Sequence, residues 1–269
     1  MGKLFGMFDP TREGPGVSKN EPQKKRFFLF FDIYFRKLTK IILLNLIYVL
    51  MCIPIVTIGP ATAGMTYCMR NFAREEHADI SDFFDQFKKN FWQSLAVSII
   101  LFFGFAVIIF GIIFYDALLK QGNMFGFVGF CICVMAAVLF LFMSYYFYMM
   151  IVTFRLKIRQ LFKNAFLFAF IGLGRNIITT IILAIIYGWF FIYGVYPAVL
   201  PLFDPEAPVF LESACLAFAL YLVFIPSLTS LIVNFNIYPC VKQFMIDPAM
   251  AELEQQREAQ ETIFEDEAE

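Results

Sequence analysis

The sequence predicts an all-α polytopic membrane protein: a helix bundle of six membrane-embedded helices, five long and one the short return arm of a hairpin, plus two interfacial amphipathic helices. Three observations predict it. The chain is 60% apolar and 16% charged, with 37 phenylalanines. Its charges fall between apolar runs, and several runs exceed the roughly 20 helical residues that a hydrocarbon core of about 30 Å requires. Its Lys and Arg sort to one side when those runs are threaded through a bilayer.

The start, MGKLFGMFDPTREGPGVSKNEPQKKR, has no continuous apolar core and no small-residue cleavage site, and reads as a flexible cytoplasmic tail over residues 1–27 rather than a secretory signal. Lys24, Lys25 and Arg26 beside FFLFFDIYF suit anionic headgroups. The first span is expected from Tyr34 to Ile53. Four further runs meet the length requirement plainly, from Ser94 to Tyr115, Met124 to Phe154, Ile177 to Phe203 and Glu212 to Pro239. The close, AELEQQREAQETIFEDEAE, is acidic and helix-compatible with few apolar anchors. It reads as a cytoplasmic tail within 241–269, leaving 28–240 as the membrane domain.

Between the first span and Ser94 lies IPIVTIGPATAG, residues 53–64. Pro54 removes an amide and disfavours helical geometry at Ile53, and Gly59-Pro60 adds a second break, so the chain turns here. Pro60 suits the first turn of a new helix. That helix has only about fifteen apolar residues, or roughly 22 Å, short of a full crossing. Basic residues decide its course. If residues 60–76 return the chain to the side it came from, every Lys and Arg except Lys120 falls on the cytoplasmic side. Without the return, the two sides share them almost evenly. Pro54, Thr57, Gly59, Pro60 and Gly64 are therefore the candidate hairpin turn, and both termini are expected in the cytoplasm.

Two cytoplasmic connectors read as amphipathic. In DISDFFDQFKKNFWQS, Phe83, Phe84, Phe87, Phe91 and Trp92 recur at three- and four-residue spacings opposite Asp and Lys, which suits interfacial lipid or partner docking. FRLKIRQLFKNAFLF sets Leu156, Leu161, Phe162 and Phe166 among four basic residues. Aligning Lys89-Asn90 on Lys163-Asn164 suggests an internal duplication, although any connector in a polytopic protein tends to such a composition.

The block LNLIYVLMCIPIVTIGPATAGMTYCMRNFA followed by DFFDQFKKNF, together with YFYMMIVTFRLKIRQLFKNAFLFAF, resembles the YesL family of bacterial membrane proteins over roughly residues 28–240. The resemblance implies a multi-pass protein of the bacterial cell membrane, of unknown function, often encoded near carbohydrate uptake and degradation systems. It carries no catalytic residues to transfer.

Chemistry is not legible in the motifs. His77 is the single histidine, in REEHADISD, and the chain has no HExxH and no phosphate-binding Gly-x-x-x-x-Gly-Lys. No catalytic, metal or cofactor site is expected, and no nucleic-acid partner. The six cysteines, at 52, 68, 131, 133, 215 and 240, read as reduced packing residues. The candidate polar site is Asn45, Thr62, Thr66 and Asn71 on the first hairpin, joined by Thr179, Thr180, Ser227, Thr229, Ser230 and Asn234. The alternative for all of these is interhelical hydrogen bonding worth about 0.6 kcal/mol each. The expected function is a non-enzymatic accessory or scaffold, possible partners being the bilayer and a membrane transporter or another membrane protein. The alternative is a small-molecule transporter or channel using the hairpin's polar residues.

Overall fold

The computed structural model describes residues 25–196, 199, 211–251, 253–255 and 257. The polar start through Lys24, the expected end of a span at Phe203 and the last twelve residues lie outside them. Among the described residues nine helices follow in order: α1 (Arg26–Arg36), α2 (Leu38–Cys52), α3 (Ile58–Ala73), α4 (Ile80–Lys89), α5 (Phe91–Lys120), α6 (Met124–Thr153), α7 (Ile158–Ile171), α8 (Leu173–Phe190) and α9 (Leu211–Val241). A π turn at Phe191–Val195 extends α8, and another at Lys242–Ile246 carries α9 onward. Among the described residues no strand occurs.

Four of these helices are long and apolar enough to cross a membrane: α5, α6, α8 with its extension, and α9. The expected fifth long span is corrected. Lys37 (φ −106°, ψ 12°) divides Tyr34–Ile53 between α1 and α2, and α2 has only 15 residues. The break is held by tertiary partners, since the Lys37 ammonium reaches the Glu76 carbonyl and lies 4.5 Å from the centre of the Phe72 ring.

The hairpin α2–α3 turns through Pro54 and a 3-10 turn at Ile55–Thr57, with the Thr57 hydroxyl shared between the carbonyls of Met51 and Pro54. Its two legs meet at the base. Arg36 pairs with Glu75 at 3.0 Å, and Lys40 with Asp79 at 2.7 Å. Exposed pairs of this kind contribute little stability, yet they hold the start of α2 beside the segment that follows α3, so the two ends of the hairpin lie together. Gly59 and Gly64 are corrected as turn residues. Both lie within α3 and neither has a positive φ, while Pro60, as the third residue, sits in the first turn of that helix as expected. Their role is close approach. A Cβ on Gly64 would lie 2.7 Å from the Phe83 carbonyl oxygen of α4, and one on Gly59 would collide with the Ser94 carbonyl of α5.

The short return arm is the central post of the molecule. Twelve of its 16 residues are buried, against α2, α4, α5, α6 and α9. A helix sheathed in protein does not need to match the thickness of the hydrocarbon core, and small residues suit it better than Leu and Phe.

A recurring unit organises the chain. Bends at Lys37, Asn90 (φ −105°, ψ 14°) and Gly172 (φ −90°, ψ 16°) each join an amphipathic helix to a following apolar one, which the next helix answers. Helices α4 and α7 open alike, with the Asp79 amide donating to Asp82 Oδ2 at 2.9 Å and the Lys157 amide to Gln160 Oε1 at 2.9 Å. Asn90 lies at the bend after α4, whereas Lys163 and Asn164 sit inside α7.

Both prolines inside α9 leave a carbonyl without its helical donor, and side chains from other helices supply one. Asn45 Nδ2 donates to Leu222 O at 2.6 Å, opposite Pro226, and Asn45 Oδ1 accepts from the Ser227 amide at 2.8 Å. Arg26 donates to Phe235 O at 2.9 Å, opposite Pro239. Helices α1 and α2 thereby brace α9 at both interruptions.

Candidate functional site

Where α2, α3, α6, α8 and α9 converge, they leave a cleft of about 500 Å³. Its position follows from the brace just described, because Pro226, held by Asn45 through its neighbours, lies in the wall. Interrupted helices beside a polar cavity are a recurrent way for membrane proteins to expose hydrogen-bonding groups at depth.

The wall is rich in hydroxyls and carries no Asp, Glu, Lys, Arg or His. Tyrosines enter from four helices: Tyr48 on α2, Tyr145 and Tyr148 on α6, Tyr187 on α8 and Tyr221 on α9. Several hydroxyls already tie helices together. Tyr48 and Thr62 oxygens lie 3.3 Å apart, Tyr145 and Thr180 oxygens 2.9 Å apart, and Thr229 donates to the Tyr187 oxygen at 3.3 Å. Each hydroxyl keeps further donor or acceptor capacity after these bonds.

Asn234, in the same wall, is 2% exposed. Its Nδ2 donates to the Ser230 carbonyl at 2.7 Å, whereas Oδ1 has no partner, and it is the one buried side-chain polar atom among the described residues of which that is true. A buried acceptor left unmade costs on the order of 1–3 kcal/mol. A solute hydroxyl or a water that reached Oδ1 would remove that cost.

The expected site residues divide. Thr62 and Thr66 line the cleft, with Thr180, Thr229, Ser230 and Asn234. Asn45 does not: it is wholly buried and spends its amide on α9. Asn71 is also corrected, since its Oδ1 accepts from the Arg70 guanidinium at 3.0 Å. Arg70 in turn donates to Thr153 Oγ1 at 2.8 Å and ties α3 to the end of α6. Ser227 offers its amide to Asn45, and Thr179 donates to the Arg175 carbonyl at 2.8 Å. Sequence reasoning missed the tyrosines. A Tyr among many apolar residues signals nothing by itself, and only their convergence from separate helices makes a polar wall.

The docking expectation is corrected in part. Phe83 and Phe87 are buried against α3, because Gly64 lets α4 approach closely enough to seat them in the core. Phe84 and Phe91 are half-buried, and Trp92 is 80% exposed. Among the described residues no cluster of His, Cys, Asp or Glu has a metal-holding arrangement.

These features define a class first: an all-helical protein with several membrane-length apolar helices around an uncharged polar cleft. A family model described as "Protein of unknown function, DUF624" matches residues 41–112, the stretch from α2 into α5. No curated protein and no solved structure matches the chain.

Proposed function

We propose that this is a non-enzymatic, multi-pass protein of the bacterial cell membrane that binds an uncharged, hydroxyl-bearing small solute in the central cleft. In this reading three helical hairpins, α2–α3, α5–α6 and α8–α9, make six membrane-embedded helices. Both termini lie in the cytoplasm, on the side of nearly all Lys and Arg. The match over residues 41–112 is consistent with the YesL resemblance, and that resemblance associates the solute with carbohydrate uptake. One observation carries the proposal: the unpaired Asn234 Oδ1 in a hydroxyl-lined wall without formal charge. Charged solutes would meet no counter-ion at a depth where an unpaired charge is costly.

The test is thermal melting of the purified protein against glucose, maltose and glycerol, with glucuronate and glucose 6-phosphate as charged counterparts. A ligand at 100 times its Kd stabilises by about 2.7 kcal/mol. An uncharged sugar is expected to raise the melting temperature of the wild type and not of Asn234→Leu. Equal shifts from the charged analogues, or no shift from any uncharged compound, refute it.

The accessory reading rests on a different observation, the exposure of Trp92 beside half-buried Phe84 and Phe91 at the α4–α5 bend. An aromatic anchor flanked by charges suits a protein interface. Loss of a co-purifying membrane partner in Trp92→Ala, with sugar binding intact, would support it. Unchanged co-purification would count against it.

A further inference from the structure

A second cleft of about 620 Å³ lies between α1, α8 and α9, away from the hydroxyl-lined wall. Its floor is apolar. Ile178, Ile182 and Ile186 form one stripe along α8, and Leu228 and Ile232 face them from α9. From Arg175 to Ile186 the groove follows roughly 16 Å of helix at 1.5 Å per residue, a length suited to a lipid acyl chain.

Its mouth is cationic. Arg26 and Arg175 both line it. Arg26 donates to Phe235 O at 2.9 Å, with its guanidinium 5.3 Å from the centre of the Phe235 ring, and Arg175 donates to Asn236 O at 3.3 Å. Their hydrogen-bond partners are thus carbonyls of consecutive residues, and neither forms a salt bridge with a carboxylate among the described residues. Each guanidinium has five N–H donors, so most of that capacity is unspent. Burial and then the neighbouring Arg175 charge both push the Arg26 pKa below its ordinary value, as expected of a partly desolvated guanidinium beside a like charge.

We propose that this groove is a binding site for one anionic phospholipid, its phosphate held between Arg26 and Arg175 and an acyl chain lying along the isoleucine stripe. Two guanidiniums at one end of an apolar channel match a molecule with one anionic end and a long apolar remainder. Free phosphate supplies only the first half of that match. In the proposed topology the mouth lies at the cytoplasmic headgroup level, where anionic lipids attract basic residues. The bound lipid would seal α1 against the α8–α9 pair next to the Pro239 interruption.

Native mass spectrometry of the detergent-purified full chain tests this, with palmitoyl-oleoyl phosphatidylglycerol, the matching phosphatidylcholine and inorganic phosphate as probes. The wild type is expected to retain one phosphatidylglycerol in preference to phosphatidylcholine and to show no comparable phosphate adduct. Arg26→Gln with Arg175→Gln keeps amide donors for the two carbonyls, and should weaken phosphatidylglycerol binding by about 30-fold, from two basic residues acting together. Ile182→Trp should block the channel and reduce retention while leaving both arginines in place. A monodisperse elution profile and wild-type melting temperature for each variant, measured without lipid, separate loss of the site from loss of the fold. Equal retention of the two lipids by the wild type, a phosphate adduct as strong as the lipid, or undiminished phosphatidylglycerol preference in the folded double variant would overturn the proposal.

Discussion

Asn45 and Pro226 form a donor-and-gap pair whose coupling can be measured. Pro226 cannot donate to Leu222 O, and Asn45 both supplies the missing donor at 2.6 Å and accepts from the Ser227 amide at 2.8 Å. Asn45→Ala leaves these two backbone groups unpaired beside residues that are wholly buried, Asn45 and Ser227 being 0% exposed. At about 1–3 kcal/mol for each orphaned group, the expected loss is roughly 2–4 kcal/mol once some relaxation is allowed. Pro226→Ala alone restores the helical donor and makes the Asn45 amide redundant, so it costs about 1–2 kcal/mol through repacking. In the double variant the helix satisfies itself. Its loss should fall short of the sum of the single losses by about 1–3 kcal/mol, the range typical of directly interacting pairs. The assay is denaturant unfolding of detergent-purified protein with a thiol-reactive fluorogenic dye, which reports exposure of the buried thiols Cys68 and Cys240. Losses that add to within about 0.5 kcal/mol would refute the brace.

Gly59→Ala should destabilise by about 1–2 kcal/mol. The added methyl meets backbone of α5, and this overpacking outweighs the helix-propensity gain of up to about 1 kcal/mol. Gly188→Ala, with nothing within 4 Å of its added Cβ, should be neutral or stabilising in the same melt. A Gly59→Ala protein at least as stable as the wild type would show that α3 and α5 are not in tight contact. Phe83→Ala should cost roughly 3–5 kcal/mol because the ring is fully buried, whereas Trp92→Ala should leave stability near the wild type. Equal melting temperatures for these two variants would contradict the placement of α4. In a cysteine-free background of intact cells, an impermeant thiol reagent should label a cysteine at Gly122 and not at Ser81 or Gln160, all three positions being exposed on the protein. Labelling at Ser81 from outside would contradict the proposed topology.

The long spans and the turn at Pro54 were readable from sequence because each is a local property. Span length, missing amides and the clustering of basic residues need no knowledge of what packs where. The sequence also anticipated a short return arm after the turn. Only the tertiary structure decided why it is short: α3 is sheathed by its neighbouring helices and so is free of the bilayer's length requirement. It also decided that Lys37 breaks the first span, because the restraint comes from Phe72 of α3 and Glu76 of the loop that follows it. Phe83 and Phe87 carried the periodicity of an amphipathic surface helix, which cannot tell a lipid-facing stripe from one packed on a glycine-lined neighbour. Asn45 and Asn234 looked alike as polar residues in apolar runs, yet one is spent on a backbone 182 residues away and the other keeps a buried acceptor unpaired in the cleft wall. Composition determines that such groups must find partners in a membrane; only the folded arrangement of helices decides which partners are within reach.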